Sequence, residues 1–312
     1  MLLISGLFCV LFSMVFPLRA DIQSSYAIAD VLKYLDPAIK PEKTLIIFDI
    51  DNTVISSSVE PGDLLDSPQW LSSMIHRKME ISHLTKKRAL EFTLPLHFML
   101  APYSVMSPVE ESVVGLIAVL QQAGYKVIAL TARSPYYVKA YTCQGLNKIG
   151  IDFSKGRIGN GDYIFNDRVQ YVDDILFVAG GHKGDHLLGL LERFEYMPES
   201  VVVIDDKDYC IYELEGTLKK NDIKHTCLHY RYCDYAVDTY NIAQSQHTLD
   251  TLCARDPQLK AAYEAWLQRE VNEKYAYSQP ASVEVWLQKE ANEKHAYNQA
   301  SSITHETATG KI

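Results

Sequence analysis

Two aspartates separated by one residue, Asp49 and Asp51, stand in the segment Asp49-Ile50-Asp51-Asn52-Thr53, directly after the apolar run Thr44 to Phe48. At an extended strand end, residues two apart point to the same side, so both carboxylates face one small volume. Two acids held that close are not cheaply ionised together without a cation. The pair therefore suits a divalent metal ion and divided acid and base roles. Other polar residues end apolar runs or open helical segments elsewhere. Thr131 closes the run Lys126 to Thr131 and offers a hydroxyl beside the free backbone amides of a helix start, a setting for an anionic oxygen. Lys183 precedes a helical segment and can neutralise the same anion. Asp205-Asp206 closes the run Ser200 to Asp205 and adds hard oxygen ligands for Mg²⁺, with Asp208 within reach as a further candidate. A carboxylate pair, a hydroxyl, an ammonium and a second carboxylate pair are the parts of a phosphoryl-transfer site.

The three apolar runs have the pattern of parallel strands buried on both faces, and ligands of such sheets bind at the strands' C-terminal ends. Helical segments separate them. Ser107-Pro108-Val109-Glu110 reads as an N-cap, a proline at the first helical position and a capping-box glutamate, and Val109, Val113, Leu116 and Leu120 then line one face as far as Gly124. Ser134-Pro135 opens a second helix, and Leu187, Leu191 and Phe194 give a third its apolar stripe. This alternation predicts an α/β fold built on a Rossmann-like, doubly wound parallel sheet.

Residues 57–106 interrupt the alternation with a helical insert containing Trp70, Met74, Ile81 and Leu84, a candidate cap over the strand ends. Its basic residues Arg77, Lys78, Lys86, Lys87 and Arg88 read either as a solvated helix face or as a device that steers an anionic substrate. Residues 162–178 alternate about an Asn166-Asp167 turn signal, which predicts a β-hairpin with Asp173-Asp174 facing solvent.

The ordered set DIDNT, VIALT, HKG and VVVIDD is similar to the four motifs of the haloacid dehalogenase (HAD) superfamily, in its phosphatase-like branch, over residues 44–232. The chain also resembles a bacterial group of exported HAD-like proteins. The resemblance implies a sheet of order 5-4-1-2-3 with the cap inserted after the first motif. It further implies that Asp49 attacks phosphorus to form an aspartyl-phosphate, while Asp51 protonates the leaving group and then activates water. Thr131 and Lys183 would hold the phosphoryl oxygens. Mg²⁺ would be bound by the Asp49 carboxylate, the Asp51 backbone carbonyl and Asp205, with Asp206 next in preference. The expected activity is Mg²⁺-dependent hydrolysis of a small phosphomonoester. A phosphotransferase or phosphomutase of the same chemistry and a non-catalytic HAD-like binding protein are the alternatives. Lys155 competes with Lys183 for its role, and His182, Asp185 and His186, or His225, Cys227 and His229, have spacings that metal sites also use.

The ends of the chain have their own character. Residues 1–20 are nearly all apolar up to Phe16 and then pass through Pro17, Leu18 and Arg19 to Ala20, the pattern of a cleaved signal peptide, so export to the periplasm or medium is expected, with no stable membrane span afterwards. The core is expected over residues 21–56 plus 107–252, and residues 253–312 form a helical tail. In that tail Glu264 to Gln279 and Glu284 to Gln299 match at 11 of 16 positions, a repeat of period 20. Each copy reads as one amphipathic helix, the first carrying Tyr263, Leu267, Val271 and Tyr275, available for packing on the core or for self-association. Of the six cysteines, Cys9 lies in the leader, leaving Cys143, Cys210, Cys227, Cys233 and Cys253 as buried thiols with one or two bridges. Hydrophobic residues at 47% and charged residues at 22% exclude wholesale disorder and a polytopic membrane protein, and a net charge of −9 argues against a nucleic-acid partner.

Overall fold

The computed structural model describes residues 22–60 and 65–268. Chain order runs β1 (Ile22–Ser25), β2 (Thr44–Phe48), β3 (Ile55–Ser58), α1 (Pro68–Ser82), α2 (Lys86–Leu100), β4 (Val105–Pro108) and α3 (Ser112–Gln122). It continues through β5 (Lys126–Thr131), α4 (Pro135–Lys148), β6 (Tyr163–Ile164), β7 (Gln170–Val172), β8 (Ile175–Phe177), α5 (Lys183–Arg193), β9 (Ser200–Asp205), α6 (Asp208–Lys220) and β10 (His225–Tyr230). The last helices are α7 (Asp234–Asp238), α8 (Ile242–Arg255) and α9 (Pro257–Leu267).

Eight strands form one sheet in the order β1-β10-β9-β2-β5-β8-β7-β6, parallel from β1 to β8 and antiparallel at the β7 and β6 edge. The fold is α/β and Rossmann-like, and its inner strands β10-β9-β2-β5-β8 stand in the order 5-4-1-2-3 by chain position. Every residue of β2 and β9 is buried. Alternation divides them cleanly: Ile46, Phe48, Val127, Ala129, Val202 and Ile204 share a core with Val113, Leu116 and Leu120 of α3. Leu45, Ile47, Ile128, Leu130, Val201 and Val203 pack on the other face against Leu187 and Leu191 of α5 and Ile211, Leu214 and Leu218 of α6. By the same parity Asp49 and Asp205 leave their strands on the α5 face.

Several local expectations need correction. The Ser107-Pro108 signal does not start a helix: it lies in β4, which pairs antiparallel with β3, and α3 begins at Ser112. Glu110 caps nothing and instead accepts hydrogen bonds from the Ile28 amide and the Tyr230 hydroxyl. Strand pairing at the base of the insert has overridden a local capping signal. The 162–178 segment is a three-strand meander rather than one hairpin, and its second turn is Asp173-Asp174, both left-handed (φ 51° and 58°), as a two-residue hairpin turn requires. Asp174 does not face solvent: it is buried, accepting from the Ile158 amide (3.1 Å), the Arg157 guanidinium (3.3 Å) and the Tyr171 hydroxyl. All five cysteines of the described residues are free thiols, so no bridge forms among them.

The insert holds α1 and α2 on a stem made by β3 and β4. Its apolar side chains Trp70, Met74, Leu96 and Phe98 share a core with Leu249 and Cys253 of α8 and Leu259, Tyr263 and Trp266 of α9. Insert and C-terminal helices therefore make one helical layer. Trp266 Nε1 donates to Thr93 Oγ1 at 3.1 Å, and Arg77 donates to Gln246 and Tyr263. Lys78 is neither on a solvated face nor placed to steer a substrate: it is buried and donates to the carbonyls of Trp266 and Gln268. It thereby caps the last turn of α9, which ends at Leu267. The remainder of the first repeat, the whole of the second, and the leader lie outside the described residues.

At the other end of α9, Asp256 accepts from the amides of Gln258 (2.7 Å) and Leu259 (3.0 Å) and from the Tyr103 hydroxyl of the insert's far end. Burial pushes its carboxyl up, but Tyr103 and the two amides more than offset this and hold it below the usual range. A carboxyl held low stabilises the fold above its unfolded pKa of about 4, and the contribution is lost as pH falls through the folded value. Asp256→Ala is expected to cost about 1 kcal/mol at pH 7, with the gap to the wild type narrowing below about pH 4. Urea unfolding at pH 7 and pH 3 checks this, and an equal gap at both contradicts it. A second prediction concerns the α5–α6 contact, where a Cβ on Gly184 would lie 2.2 Å from Thr217 Oγ1. Gly184→Ala is expected to destabilise by about 1–3 kcal/mol in the same assay.

Candidate functional site

The site grows from the C-terminal ends of β2 and β9. The Asp49 amide donates to the Ile204 carbonyl at 2.8 Å, so the residue is still held by the sheet as its side chain emerges. The chain then folds back sharply. The Ile50 carbonyl accepts from the amides of Val54 (3.0 Å) and Ile55 (2.9 Å), and Asn52 sits in the left-handed region at φ 58°, a conformation asparagine tolerates well. This turn sets Asp51 over the strand end and lets Asn52 Nδ2 reach Asp206 Oδ2 at 3.2 Å.

Lys183, the first residue of α5, is 3% exposed and donates to Asp49 Oδ1 at 2.7 Å and to Asp205 Oδ2 at 2.6 Å. Its helix start is fixed from several sides. His182 caps it by accepting from the Asp185 amide at 3.2 Å, and the Gly184 amide donates to Glu213 Oε1 of α6 at 3.0 Å. The absence of a side chain at Gly184 is what allows α6 to approach. Asp205 Oδ1 accepts from the Lys207 amide at 2.9 Å, and Asp206 Oδ2 from the Lys207 ammonium at 2.6 Å. Asp206 Oδ1 is buried and has no hydrogen-bond partner. Oxygens of Asp49, Asp205 and Asp206 lie within 4.8 Å of one another, the one such group among the described residues with the chemistry of a metal site.

The other sequence candidates fall as follows. Thr131 is buried at the end of β5, with the parity of Val127 and Ala129, and its Oγ1 accepts from the Arg133 amide at 3.1 Å. Asp208 is exposed in the first turn of α6 and accepts from the Tyr209 amide, away from the three-carboxylate group. Lys155 is a largely exposed partner of Asp152 at 3.7 Å and is not part of the cluster. His182 and Asp185 belong to the α5 cap. His225 contacts the Ile223 carbonyl through Nδ1, and His229 contacts the Asp206 carbonyl through Nε2 at 3.2 Å, so neither histidine set gathers around a point.

Arg133 was not among the residues singled out in the sequence. It grips Asp51 with Nε at 3.0 Å and Nη2 at 2.8 Å, a bidentate pair, while Nη1 donates to Thr142 Oγ1 at 2.9 Å. Its position two residues after Thr131, at the same strand end, is the signal that could have found it. The insert faces this pair. Asp66 acts electrostatically on Arg133, and His97 acts on Asp51, with His97 Nδ1 lying 3.0 Å from Asp66 Oδ1.

Charge decides the character of the cluster. Burial, reinforced by Asp205, Asp206 and Asp51, pushes the Asp49 carboxyl up against the opposing pull of Lys183. Burial likewise raises Asp206, with Lys207 and Asn52 opposing. For Lys183 burial works against the charged form, but Asp205 and Asp49 outweigh it and hold the ammonium charged. Burial would raise Asp51, and the Arg133 guanidinium more than reverses that, keeping it ionised below the usual range. Four carboxylates thus face three cations, Lys183, Lys207 and Arg133, a deficit of positive charge in a desolvated place.

Comparison with known proteins adds context. A "Putative outer membrane protein" of Chlamydia trachomatis serovar D is 23% identical over 204 residues, covering 65% of this chain and 75% of that protein. Among solved structures, a haloacid dehalogenase-like hydrolase from Streptococcus pneumoniae aligns with a TM-score of 0.36 at 12% identity, over 60% of this chain and 94% of its own. No helix of the described residues is long and apolar enough to cross a membrane. The model of a family of proteins of unknown function, DUF2608, matches residues 24–270, and the chain belongs to that family.

Proposed function

We propose that the protein is an exported, Mg²⁺-dependent phosphohydrolase that cleaves a phosphomonoester through an aspartyl-phosphate on Asp49. One observation supports this above the others: a buried ammonium bridges Asp49 and Asp205 while the neighbouring Asp206 keeps a buried oxygen without a partner. An unsatisfied buried carboxylate oxygen is costly, and a cluster of hard oxygens short of positive charge is what a small divalent cation satisfies. The residues present therefore fit Mg²⁺, with the carboxylates of Asp49, Asp205 and Asp206 and the carbonyl of Asp51 as the atoms that would hold it. Bound there, the ion supplies charge neutralisation to the phosphoryl oxygens and to the attacking carboxylate.

The chain's own groups then divide the work. Asp49 Oδ attacks phosphorus as the ester oxygen departs, and Lys183, already on Asp49, meets the charge that accumulates on the equatorial oxygens. Thr131 and the first amides of α4 offer further donors at the same strand end. In its protonated form Asp51 donates a proton to the leaving oxygen, and as the resulting carboxylate it takes one from the water that attacks the phosphorus on Asp49, which regenerates the Asp49 carboxylate and releases phosphate. The Arg133 pair favours the second of these duties, because it holds Asp51 as the base. The buried contacts between insert and C-terminal helices support a cap that limits substrates to small esters. Export draws on the apolar leader and on the description of the chlamydial relative.

The test is hydrolysis of p-nitrophenyl phosphate by the mature protein. Turnover is expected with Mg²⁺, to vanish with EDTA and to return on adding Mg²⁺. Asp49→Asn is expected to reduce it below detection, and Asp51→Asn by about 10²–10⁴-fold. Absence of turnover by the folded, metal-loaded wild type across a panel of phosphomonoesters would favour a binding role. Capture of the phosphoryl group by added alcohols would favour a phosphotransferase.

A further inference from the structure

The two ammonium groups on the carboxylate cluster differ in kind. Lys183 is 3% exposed and bridges two carboxylates. The Lys207 side chain is 35% exposed and touches one oxygen, Asp206 Oδ2, at 2.6 Å. Asp206 itself is 6% exposed in its side chain, and its two oxygens are treated unequally. Oδ2 receives Lys207 and Asn52, whereas Oδ1 receives nothing. We propose that Lys207 is a displaceable counter-cation of the metal site, neutralising Asp206 while no ion is bound and withdrawing to solvent when a divalent cation takes the cluster. The proposal rests on the Mg²⁺ reading given above.

The local backbone suits such a movement. Lys207 occupies the cap position before α6 with extended dihedrals (φ −99°, ψ 118°), and its amide is tied to Asp205 Oδ1 at 2.9 Å. The main chain is thus anchored while the four-carbon stem stays free to swing. An ammonium is a compact, strongly hydrated point charge, so transfer to water costs it little once its partner is neutralised from the other side. An ion held by Asp206 would lie close to this ammonium, where like charges repel strongly in a poorly hydrated setting. Asn52, neutral and hydrogen-bonded to the same oxygen, keeps Asp206 oriented through the exchange. Lys207 consequently weakens cation binding relative to the bare carboxylates, and makes the charge of the emptied site tolerable.

Binding of Mn²⁺, used as a paramagnetic stand-in for Mg²⁺, is measured by electron paramagnetic resonance on the wild type, Lys207→Met and Lys207→Arg. Removal of one neighbouring charge is expected to tighten Mn²⁺ roughly tenfold in Lys207→Met, with Lys207→Arg near the wild type. In the wild type, acylation of Lys207 by an amine reagent, read by mass spectrometry, is expected to rise several-fold on adding Mg²⁺. Unchanged or weaker Mn²⁺ binding in Lys207→Met, while the wild type binds, overturns the counter-cation role and leaves the metal reading intact. Lack of Mn²⁺ binding by every form overturns the metal reading and this proposal with it. Should Lys207→Met fail to fold, labelling of wild-type Lys207 that ignores Mg²⁺ overturns the proposal.

Discussion

An ammonium buried between two carboxylates is stable only when both partners stay in place, since losing one leaves an uncompensated charge out of water. Lys183 stands in that position between Asp49 and Asp205, and much of the architecture can be understood as what holds the three together. Asp49 comes from β2 and Asp205 from β9, neighbours in the sheet although 156 positions apart in the chain. Lys183 comes from α5, which packs on the face toward which both aspartates emerge by strand parity. The Gly184–Thr217 approach and the Gly184 to Glu213 hydrogen bond clamp the helix start that carries it. Geometry of the cluster and packing of the sheet are therefore one problem rather than two.

What could be read in the sequence follows from this. Apolar runs ending on polar residues signal strands covered on both faces, and the C-terminal ends of such strands converge, so Asp49, Asp51, Thr131, Asp205 and Asp206 could be placed at one end of the sheet. The α/β class holds for the same reason, whereas the inner strand order 5-4-1-2-3 was implied by the family resemblance and not by the apolar runs. Signals that depend on partners remote in sequence misled. Ser107-Pro108 has the chemistry of a helix cap but the neighbours of a strand, because β3 supplies the pairing. Asp174 and Lys78 are charged residues that ordinarily sit in water. Both are buried because Arg157, Tyr171 and the Ile158 amide, or two carbonyls at the end of α9, satisfy them, and no local pattern announces such partners.

The helical layer is a case where a boundary drawn by composition divides what packing joins. An insert of 57–106 and a tail from 253 look like separate additions, yet Trp70, Met74 and Leu96 share a core with Leu259, Tyr263 and Trp266. Val138 of α4 belongs to the same core, and Phe98 stacks on Tyr137 with centroids 4.2 Å apart. The layer is thus seated on the helix that begins two residues after Arg133.

That seat bears on the chemistry of Asp51. Thr142 on α4 accepts from Arg133, Arg133 grips Asp51, and the insert presents Asp66 and His97 to the same two charges. A shift of the helical layer over α4 would therefore change the field around Asp51 before it changed anything at Lys183, which is buried on the opposite face. The two halves are held by different elements, although Asp51 still acts electrostatically on Asp49 and Lys183 on Asp51. The Asp49–Lys183–Asp205 side is locked by the sheet and by α5 and α6, while the Asp51–Arg133 side is shared between the core and the layer that covers it. On the proposed function, a substrate that displaced Asp66 or His97 would act first on the Asp51–Arg133 pair, while the side chains that hold Asp49 stay where the sheet, α5 and α6 set them.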